Sequence, residues 1–373
     1  MARSIFEDVS GDKVDAPKPK PARKPSRRAI SVWLMGLFLL VALMIVVGGL
    51  TRLTDSGLSI TEWKPVTGTI PPMGEAAWLI EFDKYRATPE YLLQNAGMSM
   101  AEFKGIFWWE WGHRFLGRFV GIFWFFGFLW FALRRQIPTG WTTRLVGVGA
   151  LGGLQGAVGW WMVSSGLTGR MVDVASYRLA IHLGLAFIIL GLIAWFVFTL
   201  RRESAELLQA RRRREGGLRT LATLLVVVLF SQILLGALVA GIDAGRSFPT
   251  WPSMAGEFLP SESFDYAPFW TNFFENPALV QFNHRLLGYL AFFLGGLAWW
   301  RSRASALAGV RFSFDWMMVM MFGQMVLGIV TVIYGAPVEI AIVHQLGAVV
   351  LFVITLKAQF EASYPVEQKI SRA

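Results

Sequence analysis

The chain has no cysteine among its 373 residues. That absence excludes disulfides, thiolate metal sites and cysteine-held iron–sulfur clusters, while leaving the compartment open. Histidine is scarce as well: His113, His182, His284 and His344 are the full set. Also missing is the amphipathic rhythm of a soluble helical protein. Apolar residues make up 54% of the chain and fall in long blocks. Crossing about 30 Å of hydrocarbon as helix takes about 20 apolar residues, so blocks of this kind indicate a polytopic membrane protein. No small-residue cleavage site follows the basic N-terminal stretch, and the first apolar run is long enough to span. Glu7, Asp8, Asp12 and Asp15 argue against a mitochondrial presequence, which is poor in acids.

What is present is an all-α pattern with eight expected spans at about 31–51, 107–133, 144–163, 178–200, 218–240, 281–300, 314–334 and 339–357. The net charge of +10 is distributed unevenly. Arg134, Arg135 and Arg144 flank the second-to-third connection, Arg201, Arg202, Arg211 to Arg214 and Arg219 the fourth-to-fifth, and Arg301, Arg303 and Arg311 the sixth-to-seventh. With eight spans these fall on one side, together with the basic N-terminal tail, so that side is expected to be cytoplasmic. Basic charge of this kind reads as membrane orientation and not as nucleic-acid binding. The expected product is a multi-pass protein of a bacterial inner (cytoplasmic) membrane, with both termini cytoplasmic and lipid as its surroundings. Its organisation reads as a disordered tail (1–30), a first half (31–200), a basic linker (201–217), a second half (218–357) and a second tail (358–373).

The four histidines lie near the starts of spans two, four, six and eight, hence at similar depth near the outer face. An ionisable side chain inside a bilayer is costly and marks a functional site by default. A histidine bonded to a neighbouring helix is the plain alternative for any one of them, less so for four at one level.

The two halves repeat in order. Asp55-x-Gly57-x-Ser59-x-x-x-Trp63 with Gly68 beyond matches Asp243-x-Gly245-x-Ser247-x-x-x-Trp251 with Gly256 beyond. His113-Arg114-x-Leu116-Gly117 matches His284-Arg285-x-Leu287-Gly288, and Gln155-x-x-x-Gly159 matches Gln324-x-x-x-Gly328. His182-x-Gly184 corresponds to His344-x-x-Gly347, the glycine moved by one. Ordered matches of this kind mean tandem duplication. Four spans per half give both halves one orientation, so the expected architecture is two tandem, parallel-repeat four-helix bundles. The Asp-Gly-Ser-Trp loops read first as turn and interface chemistry, and second as caps over a pocket.

Two histidines per half, on alternate helices and without thiolates, suit a planar macrocycle held from both faces better than a bare metal ion, which wants three or four converging ligands. Two hemes are the expected occupants. Heme propionates need cationic partners, and Arg52, Arg114, Arg178 and Arg285 lie at the right level; the alternative for each is interfacial snorkelling. One position breaks the repeat: Glu110-Trp111-Gly112-His113 stands against Gln281-Phe282-Asn283-His284. Three residues before a histidine is the same helix face. A carboxylate there can move protons, which an amide cannot. It can also simply orient an imidazole or favour a helix N-terminus. On the first reading the first half does chemistry on a bound heme and the second holds a permanent one.

The segments Gly48 to Ser59 (GGLTRLTDSGLS), Glu110 to Arg114 (EWGHR) and Asn283 to Gly288 (NHRLLG) resemble the heme A synthase family, in its cysteine-free branch of alphaproteobacteria and mitochondria. The resemblance runs from about 31 to 357. It implies oxidation of a ring methyl of heme O to a formyl group by successive hydroxylations, for terminal oxidase assembly. It implies further that His113 and His182 bind substrate heme O, that Glu110 assists catalysis, and that His284 and His344 ligate a heme b cofactor. A heme O synthase and an electron donor of unknown identity are the implied partners. Two rivals remain at this stage. One is a di-heme b-type cytochrome exchanging electrons with quinone, although hemes at one depth fit transmembrane electron transfer poorly. The other is a transporter or assembly scaffold with structural histidines.

Overall fold

The computed structural model describes residues 26–169 and 171–366, and the ends of both expected tails lie outside them. Eight long helices dominate: α1 (Arg27–Leu53), α2 (Met100–Leu133), α3 (Thr142–Val163), α4 (Ser176–Leu200), α5 (Gly216–Gly241), α6 (Pro277–Ser302), α7 (Ala308–Ile333) and α8 (Val338–Ser363). Seven are long and apolar enough to cross a membrane; α6 is not among them. It carries Gln281, Asn283, His284 and Arg285 within little more than one turn, which dilutes its apolar character. Among the described residues the only β-structure is an isolated bridge between Met254 and Glu257.

Several boundaries differ from expectation for local reasons. The chain is helical from Arg27, inside the tail expected to be disordered, and α8 runs on to Ser363, past residue 357. The expected linker 201–217 contains a short helix, Ser204–Arg212. Helix α2 begins at Met100 because Ser99 and Glu102 form a capping box, satisfying two backbone donors reciprocally. Its first turns are buried in an aromatic cluster of Trp78, Phe82, Tyr85, Phe103 and Phe107, contributed partly by the loop helix Glu75–Arg86. At the start of α6, Asn276 accepts from the amides of Ala278 and Leu279, and Pro277 occupies the first helical position, where no amide proton is needed.

Helices α1, α2, α3 and α4 touch as a ring, each packing on the next and α4 closing on α1; α5, α6, α7 and α8 do the same. In each ring, therefore, the two histidine-bearing helices stand diagonally opposed. The rings join through α1 and α4 on one side and α5 and α8 on the other. Ile30, Leu34, Leu37, Val41 and Ile45 form the buried stripe of α1, at the three- and four-residue spacing of one helical face. They belong to one core that also contains Phe187 and Leu190 of α4, Leu225 of α5 and Phe352 of α8. Gly191 lets Phe352 and Leu356 approach, so close helix contact is built into the junction. Half of the apolar window of α4 is buried against 6% of that of α2, which leaves α2 on the periphery. At the arginine-rich end, Arg27 donates to the carbonyls of Thr199 and Arg202, and Arg202 to that of Tyr364, tying helix ends together.

Candidate functional site

Each histidine ring leans on a glycine of the preceding helix. A methyl group built on Gly48 of α1 would stand 3.0 Å from His113 Nε2. One on Gly159 of α3 would stand 2.8 Å from His182 Cε1. On Gly236 of α5 and Gly328 of α7 it would stand 3.1 Å from Cε1 of His284 and His344. All four are tighter than carbon normally tolerates, so glycine is what lets the rings turn into the bundle. The imidazoles interact electrostatically in two pairs, His113 with His182 and His284 with His344, the pairing expected from the repeat.

One turn before three of these glycines sits a glutamine. The amide nitrogen of Gln155 is 3.2 Å from His182 Nδ1 and 3.0 Å from the same residue's carbonyl oxygen. Gln232 stands 3.2 Å and 2.9 Å from the corresponding atoms of His284, and Gln324 3.2 Å and 2.8 Å from those of His344. In all three the amide Oε1 is buried without a partner. Gln155 and Gln324 were visible as part of the repeat; Gln232 was missed. Its signal was the same Gln-x-x-x-Gly spacing on α5, which puts both residues on one face. In α1 the pattern reads Met44-x-x-x-Gly48 instead. The ring of His113 receives no hydrogen bond from any described residue.

Glu110 is 2% exposed. Its Oε2 accepts from the Ser59 hydroxyl and the Ile60 amide, both at 2.7 Å, and its Oε1 from Arg114 at 2.6 Å. Arg114 also donates to the carbonyls of Ile60 and Glu62. The second half repeats this clamp with different chemistry. Gln281 donates to the Ala244 carbonyl at 2.8 Å and accepts from Arg285 at 3.0 Å, while Arg285 reaches the carbonyls of Phe248, Thr250 and Ser253. Both arginines thus fasten the outer loops to the histidine helices. The Asp-Gly-Ser-Trp loops supply the other side of the clamp, and their turn chemistry is explicit: Asp55 and Asp243 adopt left-handed conformations, with φ of 48° and 51°.

Arg52 bridges the halves, at 2.5 Å from Asp55, 3.0 Å from Asp243 and 3.7 Å from Asp173. Burial pushes the Asp173 carboxyl up, against the pull of Arg52. Arg178 stacks over Trp161 and donates to its carbonyl at 2.7 Å. The Nε groups of Arg52 and Arg178 are buried without partners. Gly184 and Gly347, paired by the repeat, do different work: the first receives Leu234 across the junction, the second receives Gln324 beside His344.

At the outer end of the first half lies a cavity of about 390 Å³ bordered by Thr61, Lys84, Thr88, Trp160 and Ser164. Trp160 stacks on Trp63 with centroids 5.8 Å apart, and Arg114 lies over its ring. Nearby, Glu90 is 2% exposed and its Oε2 has no hydrogen-bond partner. Burial, with Asp173 and Glu110 adding, pushes its carboxyl up to about 8.

The donor set fits iron porphyrin. Each half offers two imidazoles from opposed helices, cradled by glycine, with an unpaired amide oxygen beside three of the four. A ligating imidazole turns its second nitrogen to an acceptor, and the same amide groups, whose nitrogens now face Nδ1, carry an unused one. No group of three or more His, Cys, Asp or Glu suited to a bare metal ion occurs among the described residues.

Comparison with known proteins gives a consistent result. Residues 31–356 match the profile of a family described as cytochrome oxidase assembly protein. A protein named heme A synthase from Dinoroseobacter shibae is 59% identical, covering 100% of this chain and 98% of its own length. Proteins of the same name from Ruegeria pomeroyi and another Ruegeria strain are 56% and 55% identical, each covering 99% of this chain.

Proposed function

We infer, from the premise that the chain belongs to the cytochrome oxidase assembly family, that it is a heme A synthase: a membrane-bound oxidoreductase converting heme O to heme A. Identity with proteins of that name over the full chain supports the activity. The observation that carries the division of labour is the pair of matched histidine sites that differ at Glu110 and Gln281.

On this reading the chain crosses the bacterial inner membrane eight times, α6 included, as two parallel-repeat four-helix bundles with both termini cytoplasmic. His113 and His182 hold substrate heme O, and His284 and His344 hold heme b. Bound heme iron supplies the oxidising chemistry at the methyl group, which side chains alone cannot provide. The protein contributes position, charge and proton handling. The glycine cradles and glutamine amides fix the imidazole planes. Glu110, on the face of His113, would exchange protons with the reacting group, with the Ser59 hydroxyl as its hydrogen-bonded neighbour. Arg114 and Arg285 hold the loops shut over the sites. Arg178, with a free buried Nε, is the best placed of the four arginines to meet a propionate; Arg52 already faces Asp55, Asp173 and Asp243, and Arg114 and Arg285 offer a second layer of positive charge. A farnesylated heme is lipid-like and enters between helices, handed on by a heme O synthase; a separate electron donor serves the second half.

The test is heme extraction from the purified full chain after co-expression with a heme O synthase. Heme A or its hydroxylated precursor beside heme b is the expected result. Heme b alone would replace this reading with the di-heme quinone cytochrome.

A further inference from the structure

Three of the four histidines share a device that the fourth lacks. Gln155, Gln232 and Gln324 each place an amide nitrogen 3.2 Å from Nδ1 of His182, His284 and His344, and those of Gln155 and Gln232 lie 3.4 and 3.3 Å from Nε2 as well, along the ring edge. Each amide is anchored by donating to the same histidine's backbone carbonyl, and each has a buried Oε1 with nothing to accept from. An imidazole that binds iron through Nε2 carries its proton on Nδ1 and needs an acceptor there. A half-turn of the amide would bring its oxygen to Nδ1–H as that acceptor, giving up the bond to the backbone carbonyl in exchange.

At His113 the equivalent place is taken by Met44. The correspondence is both sequential and spatial. Met44 precedes Gly48 as Gln232 precedes Gly236. A methyl on Gly117 would meet Met44 Cε at 3.4 Å, and one on Gly288, the matching glycine of α6, would meet Gln232 Nε2 at 3.2 Å. Methionine has nearly the length and volume of glutamine, with no carbonyl oxygen and only a weakly accepting sulfur. The packing is preserved while the strong acceptor is gone.

We propose that Met44 makes the heme site of the first half the exchangeable one: by withholding a side-chain amide from His113, it leaves that imidazole a less firmly oriented, weaker ligand than the other three. This deepens the proposed function, on which it rests. A site that must take in heme O and let heme A go needs one ligand that yields, whereas a resident heme needs two that do not. Met44 is thus a positioning residue by omission, and Gln155, Gln232 and Gln324 are positioning residues by contact.

The test follows heme loss from the full chain, loaded by co-expression with a heme O synthase, to an excess of apomyoglobin, with chromatography identifying which heme has left. Three variants are compared with the parent: Met44→Gln, Met44→Leu and Gln232→Met. Removing a partner that orients a metal ligand commonly changes affinity by about 10- to 100-fold. Met44→Gln is therefore expected to slow loss of heme O and heme A by about 10-fold, and Gln232→Met to speed loss of heme b by a similar factor. Met44→Leu, apolar like the parent, should keep the parent's rates. Loss of heme O and heme A that is unchanged within twofold in Met44→Gln overturns the proposal, as does slowing of the same size in Met44→Leu. Absence of heme O and heme A from the parent protein itself would instead remove the functional reading beneath it.

Discussion

The two halves place their histidines on one plan, and at those sites they differ in a few side chains. Both place histidines on opposed helices, cradle them with glycine and fasten an outer loop with an arginine following the first histidine. The first half has a carboxylate where the second has an amide, and a thioether where the second has an amide. The arginine clamp shows why such exchange is tolerated. A loop can be held by donating into Glu110 or by accepting from Gln281, so the scaffold survives while the chemistry of the site changes. Glu110 is held by three hydrogen bonds and Gln281 by two, so the exchange changes the charge of the group and keeps it fastened.

The strongest challenge to this comparison is to erase its carboxylate. Glu110→Gln should keep both hemes and lower heme A formation by about 100-fold or more, the usual scale of general acid–base catalysis. Gln281→Glu should leave the yield near that of the parent. A normal yield from Glu110→Gln would mean the halves differ without consequence at this position. Next in size is crowding of the cradles. With a Cβ already 3.1 Å from His284 in Gly236→Ala, the larger Gly236→Val should displace the ring and cost the second half its heme, read as loss of heme b from the visible spectrum. Gly48→Val should deplete heme O and heme A alone. Loss of both kinds from either variant would show that the sites are not independent. The smallest effect concerns the outer loops. Folded Glu90 keeps its proton up to about 8, whereas an unfolded one releases it near 4.5. Between these values the folded state binds more protons, so stability of this loop falls as pH rises through the window and levels off above it. Protection from hydrogen exchange around Trp78 and Tyr85, taken relative to the base-catalysed intrinsic rate, should fall from pH 5 to 8 in the parent and stay level in Glu90→Gln.

Most of this architecture was legible in sequence because bilayers and duplications leave coarse, redundant signals. Apolar blocks gave the helices, and the repeat paired His113 with His182 and His284 with His344. The misses have physical causes. The early start of α2 depends on an aromatic cluster formed with a loop helix, which no local pattern announces. Arg114 and Arg285 read as possible propionate partners; that their guanidinium groups also reach loop carbonyls more than thirty residues away had no local signal. Gln232 escaped because its partner position in the first half is not a glutamine: a search for what the halves share passes over what only one of them has. Met44, an apolar residue in an apolar helix, gave no signal until the glutamines around it were seen.

Arg52 has a history in it. It reaches the turn aspartates of both halves, yet 188 residues later the chain has Ala240, so no second arginine returns the contact. Two separate identical subunits meeting about a twofold axis would have to use every such contact twice. Crowding two guanidinium groups at one axis invites repulsion, whereas a single one can satisfy both sides. Within one polypeptide that obligation does not hold. The lone bridge is a liberty of a single chain, whose two halves need not match residue for residue.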